Sequence, residues 1–177
     1  MAERRSPLAG LAEVTGPITM AEVPFLTQLA LRVSPDAAAG LPLPSRPCTS
    51  ARWDDADLLW LGPDEWLVVG PPGAEQRLTG RLRAAVGAEH ASVVDVSAQR
   101  TTLDLGGPAV RDLLAGGCAI DLHPSVFAPG DCVQTELAHA PVVLLRRDPG
   151  FRVLVRASYA AHLADWLRDA CIEYTTG

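Results

Sequence analysis

Residues 58–70, LLWLGPDEWLVVG, constrain the fold more than any other stretch of this chain. Two apolar runs rich in Leu, Val and Trp flank the polar hinge Gly62-Pro63-Asp64-Glu65. Such runs suit a pleated, half-buried surface. The hinge carries what a tight turn needs: Gly for an unusual φ, Pro for a fixed φ, Asp for local capping. The pattern predicts two adjacent strands of one sheet joined by a four-residue turn.

A chain of 177 residues is one domain, or two small halves fused into one. At that length about 70% of the unfolded surface can be buried, so neither metal nor disulfide is required. Apolar residues make up 48%, which excludes a disordered chain. No apolar run reaches the roughly 18 residues of a membrane span. Met1-Ala2-Glu3-Arg4-Arg5 is not followed by an apolar segment, so no signal peptide and a cytoplasmic location are expected. The formal charge of -6 argues against a nucleic-acid partner, which demands a basic footprint. Every basic residue other than His is Arg, so neither a Schiff-base nor a P-loop lysine exists here. Cys48, Cys118, Cys132 and Cys171 form no C-x-x-C pair, and His90, His123, His139 and His162 are equally scattered. Buried reduced thiols are expected, and no metal site.

Along the chain, residues 1–16 read as a loose arm. Leu29, Leu31 and Val33 alternate with polar or small residues, predicting a one-sided strand over 27–33. Ser34-Pro35 opens a short helix to Ala39, ended by Gly40, and Pro42, Pro44 and Pro47 make the next stretch an extended loop. An edge strand over 49–53 leads into the hairpin. A helix is predicted over 74–86, with Leu78, Leu82 and Val86 inward and Gly87 as its stop. Strands follow over 92–96 and 100–105, then a helix after Gly107-Pro108 that Gly116-Gly117 closes. Three more strands are predicted over 132–137, 142–147 and 151–155, then a last helix capped by Ser158 with Leu163, Trp166 and Leu167 on one face.

A weak internal echo links 29–31 and its helix to 103–105 and its helix, and 64–69 to 150–155. The expected architecture is α+β: two fused strand-helix-strand-rich halves, about 17–96 and 97–177, with mainly antiparallel sheets and helices on one face.

Each stretch with chemical potential also has a plain structural reading. Asp54, Asp55, Asp57, Asp64 and Glu65 could serve acid–base work, but they sit in predicted turns, where Asp bonds locally. Gly106-Gly107-Pro108 precedes a helix without G-x-G-x-x-G or G-K-[ST], and Pro108 removes a donor that a phosphate site uses. No G-x-S-x-G surrounds Ser97 or any other Ser, and Cys118 lacks the C-G-[SA]-C-[WY] context. Trp66 and Trp166 read as core. Trp60 has the opposite parity to Leu59 and Leu61, which points it away from the core, and for Trp53 and Trp60 core and interface roles both stay open. Trp and Arg dominate interface hot spots, which makes Trp53, Trp60 and Arg100 the candidate partner contacts.

Four blocks carry a family likeness: LWLGPDEWLVV (59–69), VVDVSAQRTTLDLGGPAVRDLLAGGCAIDL (93–122), FAPGDCVQT (127–135) and FRVLVRASYAAHLADWL (151–167). Their order and spacing resemble the gamma subunits of heterotetrameric sarcosine oxidases. The resemblance implies a complex with alpha, beta and delta partners that oxidises sarcosine to glycine, forms hydrogen peroxide and passes the one-carbon unit to tetrahydrofolate. It implies FAD, FMN, NAD and zinc in those partners and no cofactor, metal or catalytic residue in this chain. It also implies a fold like part of the aminomethyltransferase (glycine-cleavage T-protein) folate-binding domain. The alternative is a free-standing folate-binding protein of T-protein type.

Overall fold

In the computed structural model, which describes residues 4–38 and 40–175, the hairpin is β4 (Ala56–Gly62) followed by β5 (Glu65–Gly70). Pro63 and Asp64 form the turn, and Val33 N donates to the Asp64 carbonyl, tying the turn to β2 (Thr27–Val33). β2 is the other neighbour of β5. β3 (Ser50–Trp53) lies at one edge and β6 (Ala91–Asp95) at the other, in the order β3-β4-β5-β2-β6. All these pairings are antiparallel. α1 (Glu75–Val86) covers one face: Leu78, Leu82 and Val86, spaced one turn apart, pack with Leu31, Leu58, Trp66 and Val68. On its wet side Arg77 and Arg81 pair with Asp55 and Asp54. Both pairs are exposed, so water and salt screen them and they add little to stability.

The second sheet takes β1 (Thr19–Glu22), β7 (Arg100–Gly106), β8 (Cys132–Leu137), β9 (Ala140–Arg146) and β10 (Phe151–Arg156), in the order β1-β7-β10-β9-β8. α2 (Val110–Ala115) is a single short helix. α3 (Ala157–Thr175) packs on β7, β9, β10 and α2. Ala160, Leu163, Ala164, Leu167 and Cys171 are buried, the i, i+3, i+4 stripe of an amphipathic helix. The fold is thus α+β, with two five-stranded antiparallel sheets and three α-helices among the described residues.

By internal contact the chain divides into two units. One is Phe25–Ala98 with Gly130–Val133; the other gathers residues up to 24, 99–129 and those from 134 onward. Each sheet has the same plan. Four strands run β3-β4-β5-β2 in one and β8-β9-β10-β7 in the other, with β6 and β1 as the fifth strands. The fifth strands differ in origin: β6 follows its helix, whereas β1 precedes every other strand in the chain order. Backbone pairing of β1 with β7, Thr19 opposite Gly106 through Glu22 opposite Leu103, places residues 19–22 with the later-sequence unit. Within residues 4–16, Leu8 is buried and Val14 pairs with Met20.

Several local expectations need correction. The strand at 19–22 is absent from the sequence reading, because four residues are too few to show a period. The described part of the helix expected after Ser34 is a 3₁₀ turn, Pro35–Ala38, closed by Ala37 N donating to Ser34 O; Ala39 lies outside the described residues. Ser158 is inside the first turn of α3 and not ahead of it. Trp60 does not point away from the core. It shares the parity of Ala56 and Leu58 and packs on the α1-covered cluster with them. The parity rule fails because Leu58 and Leu59, on opposite faces, are both fully buried. A strand covered on both sides has no outside for parity to find. A bulge at Leu61, between the Trp60–Trp66 and Gly62–Glu65 pairs, also shifts the register.

Candidate functional site

Trp60 sits opposite Trp66 on the neighbouring strand, and both line an apolar cavity of about 490 Å³. Its far wall is the proline-rich loop, with Leu41, Leu43, Pro44 and Pro47. The prolines hold that loop extended, and Trp66 Nε1 donates to the Pro44 carbonyl at 3.3 Å. Trp66 is fully buried while Trp60 is half-buried. No charged side chain is among the described residues lining this cavity. It can therefore accept an apolar or aromatic group, and among the described lining residues Ser45 brings a hydroxyl with no titratable side chain beside it in the cavity wall. Trp53 packs on the edge of the same core, and the Arg81 guanidinium covers its ring at 4.3 Å. Arg100 lies in the other unit, at the start of β7. Trp53 and Trp60 thus border one core without sharing a cavity, and Arg100 stands in a different one.

That cavity, of about 270 Å³, is lined by Arg100, Gln134, Thr135, Pro141, Val142, Val143 and Arg156. A third, of about 460 Å³, gathers Cys118, Glu136, His139, His162 and Trp166. There the His162 Nε2 lies 2.9 Å from the Ala138 carbonyl, where it serves as donor. Neither grouping is visible in the sequence, since each draws on segments far apart in the chain. Among the described residues, no three His, Cys, Asp or Glu side chains come together as metal ligands.

The candidate chemistry resolves into local structure. Asp54, Asp55 and Asp57 pair with Arg81, Arg77 and Arg52, and Asp64 and Glu65 pair with Arg32. The hydrogen bond from Arg77 lowers the Asp55 pKa below the ordinary carboxylate value. Ser97 Oγ donates to Asp95 Oδ1 at 2.6 Å and accepts from Gln28 N at 2.9 Å. Ahead of α2, Ala109 N donates to the Pro17 carbonyl, so one donor that a phosphate loop would use is already taken. Cys118 and Cys171 are buried, and burial raises the Cys171 pKa. Cys132 is buried too, its Sγ 3.2 Å from the Thr49 carbonyl, and burial pushes its pKa up to about 12. Cys48 is exposed, which corrects the expectation of four buried thiols. Among the described residues no helix is long and apolar enough to cross a membrane.

The geometry of the described residues does not by itself name a family, and comparison with known proteins decides it. The model of the sarcosine oxidase, gamma subunit family matches residues 27–173. The chain belongs to that family. Among the family's curated members, the sarcosine oxidase gamma subunit of Corynebacterium sp. (strain P-1) is 37% identical over 98% of this chain and 92% of its own length. The Arthrobacter sp. gamma subunit is also 37% identical, with the same coverage. Among solved structures, a chain of the heterotetrameric sarcosine oxidase from Corynebacterium sp. U-96, in complex with pyrrole 2-carboxylate, matches with a TM-score of 0.87. It is 38% identical, over 98% of this chain and 97% of that one. The glycine cleavage system aminomethyltransferase T from Bartonella henselae matches with a TM-score of 0.66 at 16% identity, over 84% of this chain and 44% of that one. At that identity the likeness concerns the fold alone, and it agrees with the T-protein-like architecture expected for the family.

Proposed function

We propose that this chain is a non-catalytic subunit of a heterotetrameric sarcosine oxidase, assembling with flavin-bearing subunits that oxidise sarcosine and pass its one-carbon unit to tetrahydrofolate. The observation that carries this reading is the near end-to-end match to one chain of a solved heterotetrameric enzyme, 98% of this chain against 97% of that one. The site chemistry supports it. The described residues present one apolar cavity, ion-paired carboxylates and buried thiols, and the contact of Ser125 Oγ with His123 Nδ1 at 2.7 Å joins exposed residues two apart in the chain, outside the cavities described above. In this reading FAD, FMN, NAD and zinc belong to the partners. This chain's residues do not fit such groups: it has no dinucleotide fingerprint, and among its described residues no cluster of metal-ligating side chains. Trp53, Trp60 and Arg100 are the proposed partner contacts.

The test is expression of the chain alone and together with its alpha, beta and delta partners. Sarcosine-dependent peroxide formation is expected only from the co-expressed assembly, with this chain retained in it through gel filtration. Robust peroxide formation by the lone chain, or its absence from an active assembly, overturns the proposal. Calorimetry with tetrahydrofolate separates the free-standing folate-binding alternative, which requires micromolar binding by the chain by itself.

A further inference from the structure

Cys48 and Cys132 are far apart in the sequence but belong to one unit of the fold. Thr49 forms an antiparallel bridge with Asp131. On either side of that bridge, Cys132 N donates to the Cys48 carbonyl at 2.9 Å and Ser50 N donates to the Gly130 carbonyl at 2.7 Å. This register sets Cys48 directly across from Cys132. Residues paired in this way have Cα atoms about 5.5 Å apart. That lies within the span of about 4.4–6.8 Å that a disulfide bridges. Negative charge on Cys48 raises the Cys132 pKa, which puts the two sulfurs in one neighbourhood. Cys118 and Cys171 belong to the other unit.

The two thiols differ in access. Cys48 is exposed, whereas Cys132 is fully buried. The Cys132 Sγ lies 3.2 Å from the Thr49 carbonyl and 3.8 Å from that of Trp60. A thiol is a weak donor, so little is lost when this sulfur turns towards Cys48. Cys48 also has a left-handed backbone, with φ at 59°. Asn and Asp are the side chains that favour that region, so local conformation does not account for a cysteine there. Its neighbour Pro47 lines the Trp60 cavity.

We propose that Cys48 and Cys132 form a reversible disulfide, made by hydrogen peroxide, that fastens the end of the proline-rich loop to the start of β8. Cys48 reacts first, because it is exposed. Its sulfur takes one peroxide oxygen: the O–O bond breaks, an S–O bond forms, and the other oxygen leaves as water with the thiol proton. The Cys132 sulfur then attacks the Cys48 sulfur. The S–S bond forms as the S–O bond breaks, and hydroxide leaves with the Cys132 proton as a second water. Two thiols are oxidised and one peroxide is reduced. Burial keeps Cys132 protonated at neutral pH, so its attack is the slow step. The bridge closes a long loop of chain and braces a wall of the Trp60 cavity. It rests on the ladder geometry and not on the subunit reading.

The test treats the folded full chain with a small excess of hydrogen peroxide, blocks the remaining thiols and maps the peptides without reduction. The peptides carrying Cys48 and Cys132 should be joined, lighter by two hydrogens than the separate pair, and should part in dithiothreitol. The oxidised chain should melt about 5 °C or more above the reduced one, and reduction should remove the gain. Cys48→Ser changes an exposed side chain, so it should melt with the reduced parent. Peroxide should leave its Cys132 a thiol and its melting temperature unchanged. Cys132→Ala should accumulate a Cys48 sulfenic acid that dimedone traps and that the parent consumes. If Cys132 remains a free thiol in the treated parent, whether Cys48 is unreacted, over-oxidised or bridged to a second molecule, the proposal is overturned. A joined pair that lowers the melting temperature also overturns it, because the native ladder then does not hold the bridge.

Discussion

Cys132 shows how one side chain records its surroundings. Its sulfur is fully buried and faces the backbone carbonyls of Thr49 and Trp60. Burial disfavours the thiolate, and the pKa rises from 9.0 to about 12. Its folded pKa lies above its unfolded one, so this thiol's stabilising contribution is complete below pH 9 and is lost as the pH rises towards 12. The limiting slope is about 1.4 kcal/mol per pH unit. The stability difference between the parent and Cys132→Ala, from urea melts, should therefore shrink from pH 9 upward. A constant difference would mean that the thiolate is accommodated in the fold. At neutral pH an alkylating reagent followed by mass spectrometry should mark Cys48 first, and Cys132 only on unfolding. A second residue-scale device is the Phe151 ring. It stacks on Phe127 with centroids 6.3 Å apart, and Arg111 and Arg146 lie at 5.3 and 5.0 Å from it. Burial and the neighbouring Arg146 charge both lower the Arg111 pKa.

Among the elements, turns decide more than propensity does. Gly150 joins β9 to β10 at φ +86°, and a Cβ there would overlap the Leu105 carbonyl oxygen. Gly150→Ala should cost more than about 2 kcal/mol, because left-handed strain adds to a backbone clash. In circular-dichroism melts that is a fall of about 5 °C or more. Gly80, inside α1, has only open space within 4 Å of where an added methyl group would stand. Gly80→Ala should therefore raise stability by roughly 0.5–1 kcal/mol, as helix propensity alone requires. Equal effects at the two sites would show that the turn is not held as described. The two strands and the turn of the hairpin at 56–70 were legible, since its turn chemistry and both apolar runs are local, but the bulge at Leu61 and the inward facing of Trp60 were not. Also legible were α1 and α3, whose buried residues recur every three or four positions. β1 was not, because its four residues are a strand only by virtue of β7 beside them.

For the whole molecule, the question is which surfaces the chain keeps for others. Trp60 and Trp66 face each other across one hairpin, yet only Trp60 retains exposed area. Trp66→Ala should cost the lone chain about 3–5 kcal/mol, as large-to-small changes in a core do. Trp60→Ala should cost less and should instead weaken co-purification with partner subunits. A Trp60→Ala chain that melts as low as Trp66→Ala and still assembles would make Trp60 a core residue only. The sequence by itself determined the kinds and order of nearly all elements and the absence of catalytic motifs. Those follow from periodicity, turn residues and spacing, which act between near neighbours. Its family likeness was carried by the same local blocks. Tertiary structure alone decided that β4 is covered on both faces, that residues 19–22 join the later unit, and that Arg156 stands opposite Arg100. Each of these depends on backbone hydrogen bonds between segments far apart in the chain, and no local pattern encodes which strands those bonds will join.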